Sequence, residues 1–131
     1  MEITDELKLD VWNKCRVSDI YDESKVRKDA CGAWILFDEY GNINSPFGWE
    51  IDHIVPESRL HKFGVKQEYI DNIINLRALN IKNNRKKGDS YPVYSIAICA
   101  KDDDQNEEVL KTLVVNEKLQ KELREYFKVE I

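Results

Sequence analysis

The 131-residue chain is poor in the residues that staple or punctuate a small fold: three cysteines, three prolines, five glycines, and only two histidines. Cys15, Cys31 and Cys99 are odd in number and far apart, and no Cys-x-x-Cys pair occurs. That pattern speaks against a disulfide framework and a zinc knuckle and favours free thiols in a reducing compartment. No apolar run reaches membrane-spanning length and no secretory leader pattern is present, so the expectation is a cytoplasmic protein with no membrane partner. Internal repeats, long linkers and low-complexity tracts are missing too. The length predicts one domain over residues 1–131.

Positive charge is also scarce. Twenty Lys and Arg against 25 Asp and Glu leave a formal net charge of −5, which excludes a purely electrostatic nucleic-acid binder. The imbalance is uneven. Residues 1–49 carry 6 basic and 10 acidic side chains, residues 101–131 carry 6 and 9, and residues 50–89 carry 8 and 6. Only that middle segment is net positive. A hydrophobic content of 42% and 13 aromatic residues suffice for a modest core.

The chain reads as alternating helices and short strands. ITDELKLDVWNKC predicts an amphipathic helix capped by Thr4, with Leu7, Val11, Trp12 and Cys15 on one stripe. Residues 16–31 read as loop, AWILF (33–37) as a strand, and EYGNINSPFG as a turn-rich return. Residues 57–74 read as a loop with a short helix near Gln67–Ile73, and INLRAL (74–79) as an extended segment. Asn80 is suited to start a helix and Gly88 to follow its end, with Lys86 and Lys87 in the last turn. SYPVYSIAICA (90–100) predicts a buried strand, KDDDQNEE a surface loop or helix start, and Leu119, Leu123 and Phe127 a closing helix after Asn116. Trp12, Trp34 and Trp49 are core candidates.

The segment that a purely structural reading does not explain is GWEIDHIVP, residues 48–56. It alternates as a strand, with Trp49, Ile51 and Ile54 toward a core and Glu50 and Asp52 on the other face. Two acids beside a histidine suit a metal-dependent hydrolytic site better than a structural strand. Strand, loop, strand and helix can bring Asp52, His53, Asn75 and Asn84 together. A carboxylate and an amide oxygen are hard ligands for Mg²⁺ or Mn²⁺. A neutral histidine can take a proton from water. Arg85, Lys86 and Lys87 can hold a nucleic-acid backbone.

The ordered elements Asp52-His53-Ile54-Val55-Pro56, Asn75-Leu76 and Asn84-Arg85-Lys86-Lys87-Gly88-Asp89 resemble the HNH endonucleases. RKDACGAWI (27–35) and YGN…GWEIDHI (40–54) extend the likeness, which spans about residues 27–89. It implies an α+β fold: a ββα-metal (His-Me finger) core with flanking N- and C-terminal helices, an additional strand and a helical extension over about 104–131. It implies a phosphodiester hydrolase acting on nucleic acid, with DNA the expected partner and one divalent metal, Mg²⁺ foremost and Mn²⁺ or Ni²⁺ as alternatives. By position, His53 resembles the general base, Asp52 and Asn84 the metal ligands, and Asn75 the asparagine that holds the catalytic loop and orients His53. Lys87 matches a basic residue after the helix asparagine. A role for Glu50 behind the ligands follows from its place beside Asp52 rather than from the resemblance.

Two departures qualify the likeness. Asn80 and Asn83 stand where many relatives carry zinc-knuckle cysteines, so no structural zinc is expected. The loop ESRLHKFGVKQEYIDNI is longer than usual and lacks a Gly-Gly pair, so substrate contacts there transfer least. Taken singly, His61, Arg59, Lys62 and Lys66 read as surface residues. The alternative function is a nucleic-acid-binding or protein-interaction module on the same fold without turnover. No heptad or other interface pattern indicates an oligomeric state.

Overall fold

A computed structural model describes residues 1–131. The chain is an α+β fold of five short helices and three small antiparallel sheets. No helix is long and apolar enough to cross a membrane.

Helix α1 (Asp5–Trp12) starts where Thr4 Oγ1 accepts the Leu7 N–H at 3.1 Å, and it buries Val11 and Trp12. The following segment is not the loop its charge suggests. β1 (Arg16–Val17), β2 (Val26–Lys28) and β3 (Trp34–Leu36) form a three-stranded sheet. Strands of two or three residues are too short to show period-2 alternation, and β2 is held from outside. The Arg27 guanidinium donates to the carbonyls of Glu23, Trp12 and Cys15.

β4 (Trp49–His53) enters beside the 40–48 turn, where Gly48 is obligatory: a Cβ there would lie 2.2 Å from the Asn42 carbonyl oxygen. The long connection holds α2 (Glu57–Lys62), α3 (Gln67–Ile70) and a 3₁₀ turn at Ile73–Asn75. β5 (Leu76–Asn80) then pairs antiparallel with β4 in the register Trp49↔Asn80 through His53↔Leu76. Helix α4 (Ile81–Lys87) follows at once. Asn80 Oδ1 accepts the Lys82 N–H, and Gly88 leaves the helix at φ +53°.

β6 (Val93–Ala100) packs across α4 and pairs with β7 (Asn106–Val114), with a bulge between Ile96 and Ile98. The expected helical extension over 104–131 is therefore corrected: its first half is strand. No residue of β7 is buried, so it carries no burial pattern, and its ladder with β6 selects the conformation. Helix α5 (Glu117–Phe127) begins at Asn116, whose Oδ1 accepts the Leu119 N–H at 2.8 Å, and buries Leu123 and Phe127.

Two apolar clusters flank the β4–β5 pair. Val11, Trp12, Ile35, Trp49, Leu76 and Ala78 form one, with the Trp12 and Trp49 rings 5.4 Å apart. Ile54, Val55, Leu60 and Ile70 join β6 and α5 residues in the other. All three tryptophans are buried.

A buried polar hub joins these parts. Fully buried Asp29 accepts the backbone N–H groups of Cys31 and Ala33 on one oxygen. Its other oxygen takes the Asn80 N–H and the Asn83 amide. Asn83 Oδ1 in turn accepts the N–H groups of Ala97 and Ile98 at the β6 bulge. Asn80 and Asn83 thus tie α4 to the first sheet and to β6 by hydrogen bonds. Burial pushes the Asp29 carboxyl up in pKa against these donors.

Candidate active site

β4, β5 and α4 place the expected site residues by ladder register and helical turn. Glu50 and Asp52 are two apart on β4, so both point toward α4. Asp52 stands opposite Arg77 in the ladder. Arg77 Nε donates to Asp52 Oδ2 at 3.2 Å, and Lys87 Nζ lies 3.3 Å from Oδ1. Asp52 is buried, so two cations fix its carboxylate with both oxygens engaged. Each carboxylate oxygen has a second lone pair, which leaves acceptor capacity for one more cation.

Asn84 faces the same strand from one turn into α4. Its Nδ2 donates to Glu50 Oε1 at 3.1 Å, which leaves Oδ1 unengaged within the protein. Glu50 thereby orients the Asn84 amide.

Asp52, His53 and Asn84 line one open cleft of ≈360 Å³, together with Ile51, Glu57 and Asp89 among others. A cavity of ≈430 Å³ behind Arg77 holds none of the expected site residues. The donor set of a carboxylate and an amide oxygen fits a hard divalent cation. A second set, His53, Glu57 and Asp71, has ligand atoms within 4.8 Å of one another. There the Gln67 amide already supplies donors to both carboxylates, at 2.7 and 3.0 Å.

His53 Nε2 is 2.8 Å from Asp71 Oδ1 and 3.7 Å from Glu57 Oε1. Its Nδ1 has no partner in the protein and is not sealed from solvent. With Nε2–H donated to Asp71, Nδ1 carries the lone pair and is the basic atom of the ring.

Asn75 is fully buried, and its side-chain hydrogen bonds go to Val55 and Ile70 rather than to the His53 ring. Its Oδ1 accepts the Val55 N–H, its Nδ2 donates to the carbonyls of Val55 and Ile70, and its carbonyl accepts the Ile54 N–H. It clamps the backbone just after His53, so it positions the loop and makes no contact in the cleft. The side-chain partner of His53 is Asp71.

The basic residues fall differently from the sequence expectation. Lys87, expected to hold a nucleic-acid backbone, has 1% of its side chain exposed. Its ammonium is spent on Asp52 and on the His53 carbonyl, and burial lowers its pKa against the pull of Asp52. The helix turn after Asn84 carries Lys87 inward under β4, which corrects that assignment. Arg85 and Lys86 are exposed, but they border a groove on another face of α4, beside Lys82 and Ala97.

Arg77 and Asp71 escaped the sequence reading. Arg77 had one signal, a lone cation inside the apolar run INLRAL, which calls for a buried partner. Asp71 had none: it lies 18 residues from His53 at the end of the one-turn helix α3. Comparisons of the chain with protein-family models, curated proteins and solved structures give no match.

Proposed function

We propose that β4, β5 and α4 form a ββα-metal core and that the protein is a metal-dependent HNH-type endonuclease hydrolysing phosphodiester bonds, with DNA as the expected substrate. The observation that carries this reading is the cleft shared by Asp52, His53 and Asn84, with the Nδ1 face of His53 free. Those are the base and the two oxygen ligands of the motif in this reading: Asp52 and His53 are neighbours on β4, and α4 brings Asn84 to them.

In this reading the Asp52 carboxylate and the Asn84 amide oxygen hold one divalent cation, which supplies positive charge for the scissile phosphate and its leaving oxygen. His53 Nδ1 takes the proton of a water attacking phosphorus in line. Glu50 keeps the Asn84 oxygen turned outward, and Asn75 keeps the His53 loop in place. Arg77 and Lys87 hold Asp52 in one rotamer.

The test is plasmid cleavage by the purified protein with Mg²⁺, Mn²⁺, Ni²⁺ or EDTA, beside His53→Ala. Metal-dependent nicking or linearisation that falls by about a hundredfold or more in His53→Ala is expected. Equal cutting by the variant rejects His53 as the base.

A second reading, a binding module without turnover, draws on one observation: Asp52 already faces two cations. Calorimetric titration with Mn²⁺ separates the two. Binding lost in Asp52→Asn favours the nuclease, and no binding favours the module.

A further inference from the structure

We propose that Asp71, held in place by Gln67, is the positioning residue that sets the tautomer of His53 and so decides that Nδ1, the nitrogen without a protein partner, carries the lone pair. The inference rests on His53 as the base of the proposed nuclease, but its geometry stands on its own.

A neutral imidazole carries one N–H and one lone pair, and the partner of one nitrogen dictates the role of the other. Free histidine leans only modestly toward the Nε2–H tautomer, so a ring without a fixed acceptor spends part of its time with the proton on Nδ1. Here Asp71 Oδ1 lies 2.8 Å from Nε2, and both side chains are 16% exposed. A carboxylate is acceptor-only when ionised, so this contact is satisfied only with the proton on Nε2. The lone pair then lies on Nδ1, which no protein group occupies. Were Asp71 absent, the proton could reside on Nδ1, and that fraction of the protein would have no base at that nitrogen.

The neighbouring groups make Asp71 a held acceptor rather than a mobile one. Gln67 Nε2 donates to Asp71 Oδ1 at 3.0 Å and to Glu57 Oε1 at 2.7 Å. The reverse orientation of that amide would aim its oxygen at two carboxylates, so chemistry selects the orientation seen. Gln67 Oε1 meets His61 Nε2 at 2.9 Å, which makes His61 the donor there. The Met1 ammonium stands 3.9 Å from Asp71 Oδ2. His61 thus donates to Gln67 and Gln67 to Asp71, and the His53 ring donates to the same Asp71 oxygen from the other side. Each of these groups has its donor or acceptor role fixed by its neighbour.

Glu57, 3.7 Å from the same nitrogen, can replace Asp71 if Asp71 is removed alone. The experiment is therefore run in a Glu57→Ala background, comparing it with Glu57→Ala/Asp71→Ala and Glu57→Ala/Gln67→Ala. Asp71 ends a one-turn helix near the surface, and circular dichroism verifies that each variant folds. Two readouts are used. The ¹⁵N chemical shifts of the His53 ring report the tautomer directly, and with only two histidines in the chain a His61→Gln sample assigns them. Cleavage kinetics give kcat and KM separately.

The expected result is a His53 ring protonated on Nε2 in the background protein and a mixed tautomer after Asp71→Ala. kcat falls about two- to fivefold, in step with the Nε2-protonated fraction lost, with KM within about twofold. Gln67→Ala shifts both readouts in the same direction by less. An unchanged tautomer after Asp71→Ala overturns the proposal, as does a changed tautomer with unchanged kcat in an active enzyme. If the parent protein cuts nothing, the tautomer readout still decides the role of Asp71, and only the nuclease reading fails.

Discussion

Lys87 Nζ lies 3.3 Å from Asp52 Oδ1, with 1% of the lysine side chain and 6% of the aspartate side chain exposed. Arg77 takes the other oxygen. A residue whose sequence position suggests a surface phosphate contact is instead part of the internal support of the candidate metal ligand. Lys87→Met leaves Asp52 with Arg77 alone and the His53 carbonyl without its donor. It is expected to destabilise the fold by about 1–3 kcal/mol, read by urea unfolding. It is also expected to tighten Mn²⁺ binding, because Asp52 loses a competing cation. Weaker Mn²⁺ binding in a folded Lys87→Met protein would mean that the ammonium helps to build the site rather than compete for it.

Glu50 acts through the Asn84 amide, 3.1 Å away. Glu50→Ala frees that amide to rotate and is expected to weaken Mn²⁺ binding about tenfold in calorimetry, with Tm nearly unchanged. An affinity equal to wild type would detach Glu50 from the ligand set.

The cleft itself repels a polyanion. Asp52, Glu57 and Asp89 line it, while Arg77 and Lys87 are committed behind Asp52. A bound divalent cation changes that sign locally. Fluorescence anisotropy of His53→Ala with a short duplex is expected to show weak, salt-sensitive binding in EDTA and about tenfold tighter binding in Mg²⁺. Equal affinity in both would place the binding path elsewhere, along the exposed Arg85 and Lys86 groove.

The cysteines give a prediction independent of function. Burial, reinforced by the charge of Asp29, pushes the Cys15 and Cys31 thiols from the ordinary 9.0 up to about 12. At pH 8 both stay protonated and resist iodoacetamide until the protein unfolds, as mass spectrometry of native and urea-treated samples would show. The folded state then binds more protons than the unfolded state between pH 9 and 12, so stability falls as pH rises through that window. Both thiols are half-buried, and rapid native labelling of either, or stability flat across the window, would contradict the raised pKa.

Local features were legible wherever the residues themselves determine the conformation. Thr4, Asn80 and Asn116 cap helices because their side chains reach an N–H two or three residues on. Gly88 supplies the positive φ after α4. Trp49 through His53 is a strand as its residues predict, although burial does not alternate along it, since Asp52 is buried and Ile51 is half-buried. β1, β2 and β7 were not legible, since two of these strands are very short and the third buries no residue fully and shows no alternation.

The sequence by itself determined the α+β character, the caps, the tryptophan core and the residue types that can do metal-assisted hydrolysis, since each depends on neighbours in the chain. Only the tertiary structure decided which charges are spent. The ladder set Arg77 against Asp52, the pitch of α4 turned Lys87 inward, and the long β4–β5 connection brought Asp71 to His53. Those pairings span 18 to 35 residues of chain. Contacts over such separations leave no periodicity in the sequence, because distance in the fold rather than distance along the chain sets electrostatic and hydrogen-bond energies.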